Sequence, residues 1–236
     1  MISEAEIKHI NGLKIKKYRN KYSEFIAEGD KIIKELIDAG LEVVNIYTIN
    51  IGSSNTLPGA ILIKEAQLSK ISALTNHHGS LAVFKIPAAK ATIQKNEWIV
   101  LLDDIQDPGN MGTIIRTCDW FGISKIICSD GCVDAYNPKV VQASMASIGR
   151  VHVTESDIEE VIAQHDLPVY GAVLNGKDYR YQDFSRKGFI LIGNEGHGIR
   201  RSLQEKITFP VTIPKKGKAE SLNAAIAAAL ILDKLK

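Results

Sequence analysis

The strongest constraint on the fold is a regular alternation in the second half of the chain. Apolar runs at Trp98–Leu102, Lys125–Cys128, Val151–Val153, Val169–Leu174, Phe189–Ile192 and Ile207–Ile213 are separated by segments of helical or turn character. Runs that are apolar on successive residues, rather than on alternate ones, belong to strands covered on both faces, and the intervening helices supply the cover. The pattern predicts an α/β fold with a mostly parallel sheet. Ligands of such sheets sit at the carboxyl ends of the strands, so the segments leaving these runs are the place to look for chemistry.

The front of the chain reads differently. Tyr22, Phe25, Ile26, Gly29, Ile32, Ile33, Leu36 and Ile37 follow i, i+3, i+4 spacing and Gly40 supplies a stop, which predicts a helix of about four turns. A strand over Val43–Ile49, a Gly/Ser/Asn/Pro loop over Gly52–Gly59, a helix over Lys64–Thr75 and a strand over Leu81–Ile86 complete a smaller α/β unit. The polar stretch Pro87–Glu97 is the expected linker, so residues 1–92 and 93–236 are expected to be separate domains. At the far end, Leu222, Ala225, Ile226, Ala229 and Leu230 give helical spacing to Ser221–Leu235.

The chain has 236 residues, 45% of them hydrophobic, enough for two modest cores. It has no uncharged apolar run of about 18 residues and no signal-peptide pattern at its start, so a cytoplasmic protein without a membrane partner is expected. Cys118, Cys128 and Cys132 fit neither a disulfide framework nor a zinc site and are expected to be small buried hydrophobes. The net charge of +2 hides an asymmetry: residues 1–95 carry 13 Lys/Arg against 9 Asp/Glu, and residues 96–236 carry 16 against 18. Between Lys8 and Lys21 there are six Lys/Arg, one His, no acid and an interleaved Tyr18. That composition suits a phosphate backbone, and equally the solvated face of a helix.

Three segments stand at strand ends. They are Asp107-Pro-Gly-Asn-Met-Gly-Thr-Ile-Ile-Arg-Thr-Cys-Asp-Trp-Phe-Gly122, Leu191-Ile-Gly-Asn-Glu-Gly-His-Gly-Ile199, and Ile213-Pro-Lys-Lys-Gly-Lys-Ala-Glu-Ser-Leu-Asn223. Taken singly, each has a plain structural reading: Asn110 or Ser221 as a helix cap, Arg116 as a surface arginine, and Gly193, Gly196 and Gly198 as a tight turn. The glycine loop is G-x-x-G-x-G, not the dinucleotide G-x-G-x-x-G, and Lys215, Lys216 and Lys218 lack a P-loop frame, which disfavours nicotinamide chemistry and nucleotide hydrolysis.

In this order and with these separations the segments resemble the three motifs of the SpoU (TrmH-like) RNA 2′-O-ribose methyltransferases of the SPOUT class: N-x-G-x-x-x-R, G-N-E-G-x-G, and I-P ending in S-L-N. The resemblance covers residues 98–236. It implies a C-terminal trefoil knot, against the general rarity of knots, a homodimer formed through the catalytic domain, and S-adenosylmethionine as methyl donor with no metal. Carried over by motif, Gly193, Ile213 and Leu222, with Leu174 and Gly198, would bind the donor. Asn110, Arg116, Glu195, Ser221 and Asn223 would form the catalytic group. Phe25 with Glu28-Gly29 resembles the ribosomal-protein-like RNA-binding domain that precedes such enzymes, so ribosomal RNA is the expected substrate, with transfer RNA as the alternative.

The residue types suit that chemistry. A ribose hydroxyl is a weak nucleophile and must lose its proton as it attacks a sulfonium methyl in line. Arg116 is the family's candidate for activating it, yet a guanidinium normally stays protonated. Either its pKa is depressed in the formed site, or it binds an adjacent phosphate while the proton leaves by another route. Glu195 would orient the arginine, and Asn110, Ser221 and Asn223 would hold neighbouring groups. His197, the pair His77-His78 and the acids Asp103-Asp104 receive no catalytic role, and Lys215, Lys216 and Lys218 either meet phosphates or are simply solvated. The rival readings are a non-catalytic RNA-binding or ribosome-assembly protein on the same scaffold, and a base methyltransferase.

Overall fold

The computed structural model describes residues 2–50, 52, 57–88 and 92–235; parts of the expected Gly52–Gly59 loop and Pro87–Glu97 linker lie outside them. In chain order the described elements are α1 (Glu4–Gly12), α2 (Lys16–Tyr22), β1 (Glu24–Glu28), α3 (Asp30–Asp38), β2 (Val43–Thr48), β3 (Ile61–Leu62), α4 (Glu65–Ile71) and β4 (Ser80–Lys85). They continue with β5 (Ile99–Leu102), α5 (Pro108–Trp120), β6 (Lys125–Cys128), α6 (Pro138–Ser144), β7 (His152–Glu155), α7 (Ile158–Gln164), β8 (Val169–Asp178), β9 (Phe189–Ile192), α8 (Arg201–Gln204), β10 (Phe209–Thr212) and α9 (Ala224–Leu232). Contacts divide the chain into two units, Met1–Ala88 with Asp134–Arg150, and Ala89–Val133 with Val151–Lys236.

The first unit is built on a four-stranded sheet in the order β1-β4-β2-β3, antiparallel except for the β2–β3 pair. The single helix expected from Tyr22 to Ile37 is not formed: α2 ends at Tyr22, β1 follows, and a helix resumes only at Asp30. All five residues of β1 are buried, and a strand covered on both faces carries no period that would tell it from helix. Gly29, at φ +93°, makes the corner between β1 and α3, a backbone conformation that side chains disfavour. Glu28 is buried at the strand end and accepts from Ser72 Oγ at 2.6 Å and from the Ala73 N–H at 2.7 Å. The Glu28-Gly29 signature is thus explained by a turn and a buried tie.

Residues 134–150 complete this unit. Arg19, almost fully buried, donates through Nε (2.7 Å) and Nη2 to Asp134 Oδ2 and through Nη1 to Leu13 O at 2.8 Å. The Phe25 and Tyr136 rings meet at 4.9 Å, and Gly149 packs so tightly that an added Cβ would lie 3.0–3.3 Å from Leu36, Ala39 and Leu41.

The second unit holds a six-stranded sheet in the order β10-β8-β9-β5-β6-β7, with every strand pair parallel. β6 and β9 have the bounds expected from the sequence, whereas β8 continues four residues beyond Leu174. The central strands β5 and β9 are buried on all residues, and α5 packs against α9. Cys118, Cys128 and Cys132 are free and buried. Among the described residues no helix is long and apolar enough to cross a membrane.

Removing one partner of a buried ion pair leaves the other charge desolvated. Asp134→Ala should therefore destabilise the first unit by about 3 kcal/mol, while Arg19→Met with Asp134→Leu should cost less; chemical denaturation followed by hydrogen exchange on β1 checks the difference.

Candidate active site

In the sheet order, β6 and β7 lie on one side of β5, and β9, β8 and β10 on the other. The sheet therefore changes its direction of growth between β5 and β9, and the carboxyl ends of strands at such a switch point are where ligands of open α/β sheets bind. Leu102 pairs with Ile192 in register, which sets the first motif segment beside the glycine loop. Asp103, fully buried, extends that pairing by donating its N–H to Ile192 O at 2.9 Å. Its carboxylate accepts from the Arg200 N–H at 2.8 Å and from Nε at 2.6 Å, and Nη2 completes the ion pair at 2.5 Å. These hydrogen bonds hold the Arg200 guanidinium above its ordinary pKa. Neither residue is a candidate from sequence; the one signal is an acid directly after an apolar run.

Within the loop so anchored, Asn194 and Gly198 exchange backbone hydrogen bonds of 3.1 and 2.9 Å. Asn194 Nδ2 donates to Asp104 O at 2.8 Å, and its Oδ1 accepts from the Gly196 N–H at 2.7 Å. Gly198 sits at φ +72°. An added Cβ at Gly193 would stand 2.4 Å from Gly198 C and Ile199 N, so it is the loop's own backbone that first requires glycine there, before any ligand does. Cys132 Sγ accepts from the Ile105 N–H and donates to Leu102 O, both at 3.2 Å, pinning the chain as it leaves β5.

Helix α5 starts where Asp107 Oδ1 accepts from the Asn110 N–H at 2.8 Å, with Pro108 in the first turn, a pairing of cap and fixed φ that nucleates helices. Asn110 is therefore not the cap, and its side chain is available for other bonds. Its Nδ2 donates to Glu195 Oε1 at 2.5 Å and its Oδ1 accepts from Asn223 Nδ2 at 2.8 Å. Asn223, rather than Ser221, caps α9, its Oδ1 accepting from the Ala225 and Ile226 N–H groups at 3.0 and 3.2 Å. The chain Glu195–Asn110–Asn223 joins all three motif segments.

The remaining candidates are arranged less tightly. Arg116 and Ser221 are exposed and make no hydrogen bond or ion pair with another described residue. Leu174, in β8, is 76% exposed and Leu222 is 43% exposed, while Ile213, just after β10, is half-buried. Lys215, Lys216 and Lys218 are exposed in the loop before α9. His197 is not isolated: its Nε2 lies 3.1 Å from Asp104 Oδ2.

Comparison with known proteins places these features in a family. Residues 97–233 match the SpoU rRNA Methylase family, and residues 4–82 match an MRM3-like substrate binding domain. The 23S rRNA (guanosine(2553)-2′-O)-methyltransferase RlmP of Bacillus subtilis (strain 168) is 30% identical, over 98% of this chain and 96% of that one. The AdoMet-bound rRNA methyltransferase of Sinorhizobium meliloti is 30% identical with a TM-score of 0.86, over 98% and 95% of the two chains. The SpoU methyltransferase AviRb of Streptomyces viridochromogenes, in complex with AdoMet, is 25% identical with a TM-score of 0.87, over 98% and 96%.

The double duty of Asn223 can be separated. Asn223→Ala removes both cap and link and should cost about 1 kcal/mol or somewhat more. Asn223→Asp keeps the capping oxygen and loses only the donor to Asn110, so thermal unfolding should place it between the wild type and Asn223→Ala.

Proposed function

The chain belongs to the SpoU rRNA methylase family, and from that premise we infer that it is an S-adenosylmethionine-dependent methyltransferase acting on a ribose 2′-hydroxyl of ribosomal RNA. The observation that carries the reading is the hydrogen-bonded chain Glu195–Asn110–Asn223 at the strand ends: it ties together side chains from three segments 85 and 113 residues apart, as a built site requires. Relatives named for rRNA 2′-O-methylation or solved with AdoMet support both the substrate class and the donor.

In this reading residues 1–92 capture RNA and residues 93–236 methylate it, in a cytoplasmic homodimer whose catalytic domain carries a trefoil knot. The dimer has support in Trp120, 84% exposed at the end of α5, and Ile226, 51% exposed on α9. Two packed helices showing large apolar side chains to water suit burial against a second copy. The donor site fits the residues present: Leu174 and Leu222 offer exposed apolar surface, half-buried Ile213 adds to it, and the tight Gly193–Gly198 loop presents main-chain groups. S-adenosylmethionine supplies an activated methyl on sulfonium sulfur.

The remaining work is done by the chain. Glu195 fixes the Asn110 amide, Asn110 fixes Asn223, and Ser221 with Asn223 can hold the ribose for in-line attack. Arg116 is exposed in the single chain, and a guanidinium open to water keeps its charge, which favours a cation that binds the phosphate beside the target ribose over one that removes a proton. Lys215, Lys216 and Lys218 can add phosphate contacts nearby.

The decisive experiment follows methyl transfer to ribosomal RNA from cells lacking the gene. The full chain should bind S-adenosylmethionine in the presence of chelator and methylate that RNA on a 2′ oxygen. Arg116→Ala should cut transfer at least about a hundredfold with donor affinity retained, and Arg116→Lys should restore only part, because a point charge lacks the planar fork. Near-normal turnover in Arg116→Ala would overturn the assignment; no transfer by the wild type would favour a binding protein.

The basic front is narrower than its composition suggests. Arg19 is consumed by Asp134, and Lys14, half-buried, donates to Ser72 O at 2.7 Å, with burial lowering its pKa. Lys8, Lys17 and Lys21 are exposed. Replacing Lys8, Lys17 and Lys21 by Glu should weaken RNA binding and reduce its salt slope by about one per lost contact, leaving donor affinity unchanged; titrations at several salt concentrations test it.

A further inference from the structure

In the first unit a groove of about 260 Å³ lies between α1 and the sheet, its walls including Ala5 and Ile10 of α1, Val44 and Asn45 of β2, and Val83 of β4. Successive residues of a regular strand point to opposite faces, yet Val44 and Asn45 both line it. The register accounts for this. Val43 pairs with Phe84 and Asn45 with Val83, so Val44 is an extra residue in the strand, and such a bulge re-aims side chains. Most polar side chains around the groove are engaged: Tyr47 Oη donates to Glu6 Oε1 at 2.9 Å, Ser3 Oγ donates to Glu6 Oε2 at 2.6 Å, and His9 Nε2 is hydrogen bonded to Glu24 Oε2 at 2.6 Å. Asn45 is the exception. It is half-buried, and its amide makes no hydrogen bond with another described residue, which leaves two donors and an acceptor for a ligand.

The groove leads to an aromatic surface. His9, which lines it, meets the Tyr22 ring edge-on at 4.6 Å. Tyr22 and Tyr18 lie one turn apart on α2 with their rings within 12° of parallel and their centroids 6.5 Å apart, each residue 37% exposed. Lys21 Nζ stands 5.1 Å from the Tyr22 ring centroid, and Lys8 and Lys17 are exposed. The carboxylate that meets His9, Glu24, is matched by Lys85 at 2.7 Å, so the exposed lysines dominate the local charge.

We propose that this groove holds one unpaired nucleobase of the RNA substrate, with Asn45 bonding its polar edge and a neighbouring base stacked on Tyr22 and Tyr18. The proposal rests on the reading of the first unit as the part that captures RNA, and it names the place and the chemistry. A slot with apolar walls and a single free amide fits a flat ring that is apolar on its faces and polar at its edge. Parallel tyrosine rings beside lysines fit the next base and its phosphate. Such a site selects a loop or bulge over a duplex, whose bases are already stacked and paired.

The test uses the full chain and a short fluorescent single-stranded RNA containing all four bases, with the duplex of the same sequence as comparison. The single strand should bind more tightly. Tyr22→Ala should weaken it by about 5- to 140-fold and Tyr22→Phe should not, while Asn45→Leu should cost about tenfold. Ala5→Trp, at an exposed helix position, fills the groove without touching the tyrosines and should also weaken binding. Stacking releases no counterions, so these variants should keep the wild-type salt slope, in contrast to the triple lysine replacement. In methyl transfer to ribosomal RNA from cells lacking the gene, Tyr22→Ala should raise KM for RNA and leave kcat within about twofold. Three results would each overturn the proposal: wild-type RNA affinity in both Tyr22→Ala and Ala5→Trp, a loss in Tyr22→Ala matched by a fall in the salt slope, or a preference for duplex. A wild type that binds no RNA and transfers no methyl defeats the RNA-capture reading as well, whereas an active wild type beside unimpaired variants defeats this proposal alone.

Discussion

The site depends on one buried carboxylate. Asp103 is fully inaccessible, and an isolated carboxylate in that place would be strongly unfavourable without donors. Arg200 supplies them from its main chain and its guanidinium together. Because the backbone of Asp103 is already paired to Ile192, the chain from Ile192 to Arg200 is closed into a ring with both ends fixed on Asp103, just after β5. Within that ring the glycines, Asn194 and Glu195 have few backbone conformations left, so the loop is shaped before any ligand arrives. Such preorganisation is what electrostatic catalysis needs.

A second theme is economy of side chains. Asn223 starts a helix and also positions Asn110; Asn194 braces the loop and also holds the Asp104 carbonyl; Cys132 fills core volume while its sulfur binds both Leu102 and Ile105. Two hydrogen bonds help to bring the Cys132 thiol down to about 7, that from Cys128 foremost and that from the Ile105 N–H after it, against the opposing effect of burial. Substitutions at such positions report stability and function at once, so the two have to be measured separately.

Much of this was legible in the residues. Buried parallel strands announce themselves by continuous apolar runs, and β6 and β9 have the bounds read from sequence. The motif segments were also legible, because their glycines, prolines and asparagines have local meaning. The front differs because a covered strand, β1, precedes an amphipathic helix, α3: the strand's apolar residues have no period of their own and happen to continue the helical spacing backwards. The Asp103–Arg200 lock spans 97 residues and the Asp104–His197 contact 93, distances in sequence over which no local rule operates. Lys14 and Arg19 illustrate the same limit, since composition counts charges and cannot tell which are already paired.

The inclusion of residues 134–150 in the first unit has a consequence for synthesis on the ribosome. When residue 88 has emerged, β1 still lacks α6 beside it and Arg19 lacks its carboxylate. The first unit cannot be completed until the chain has been made through β5, α5 and β6, which at that moment still await β8 and β9. The two units must therefore mature in an interleaved order during translation, not one after the other, and a ribosome that stalls between residues 88 and 150 would leave both unfinished.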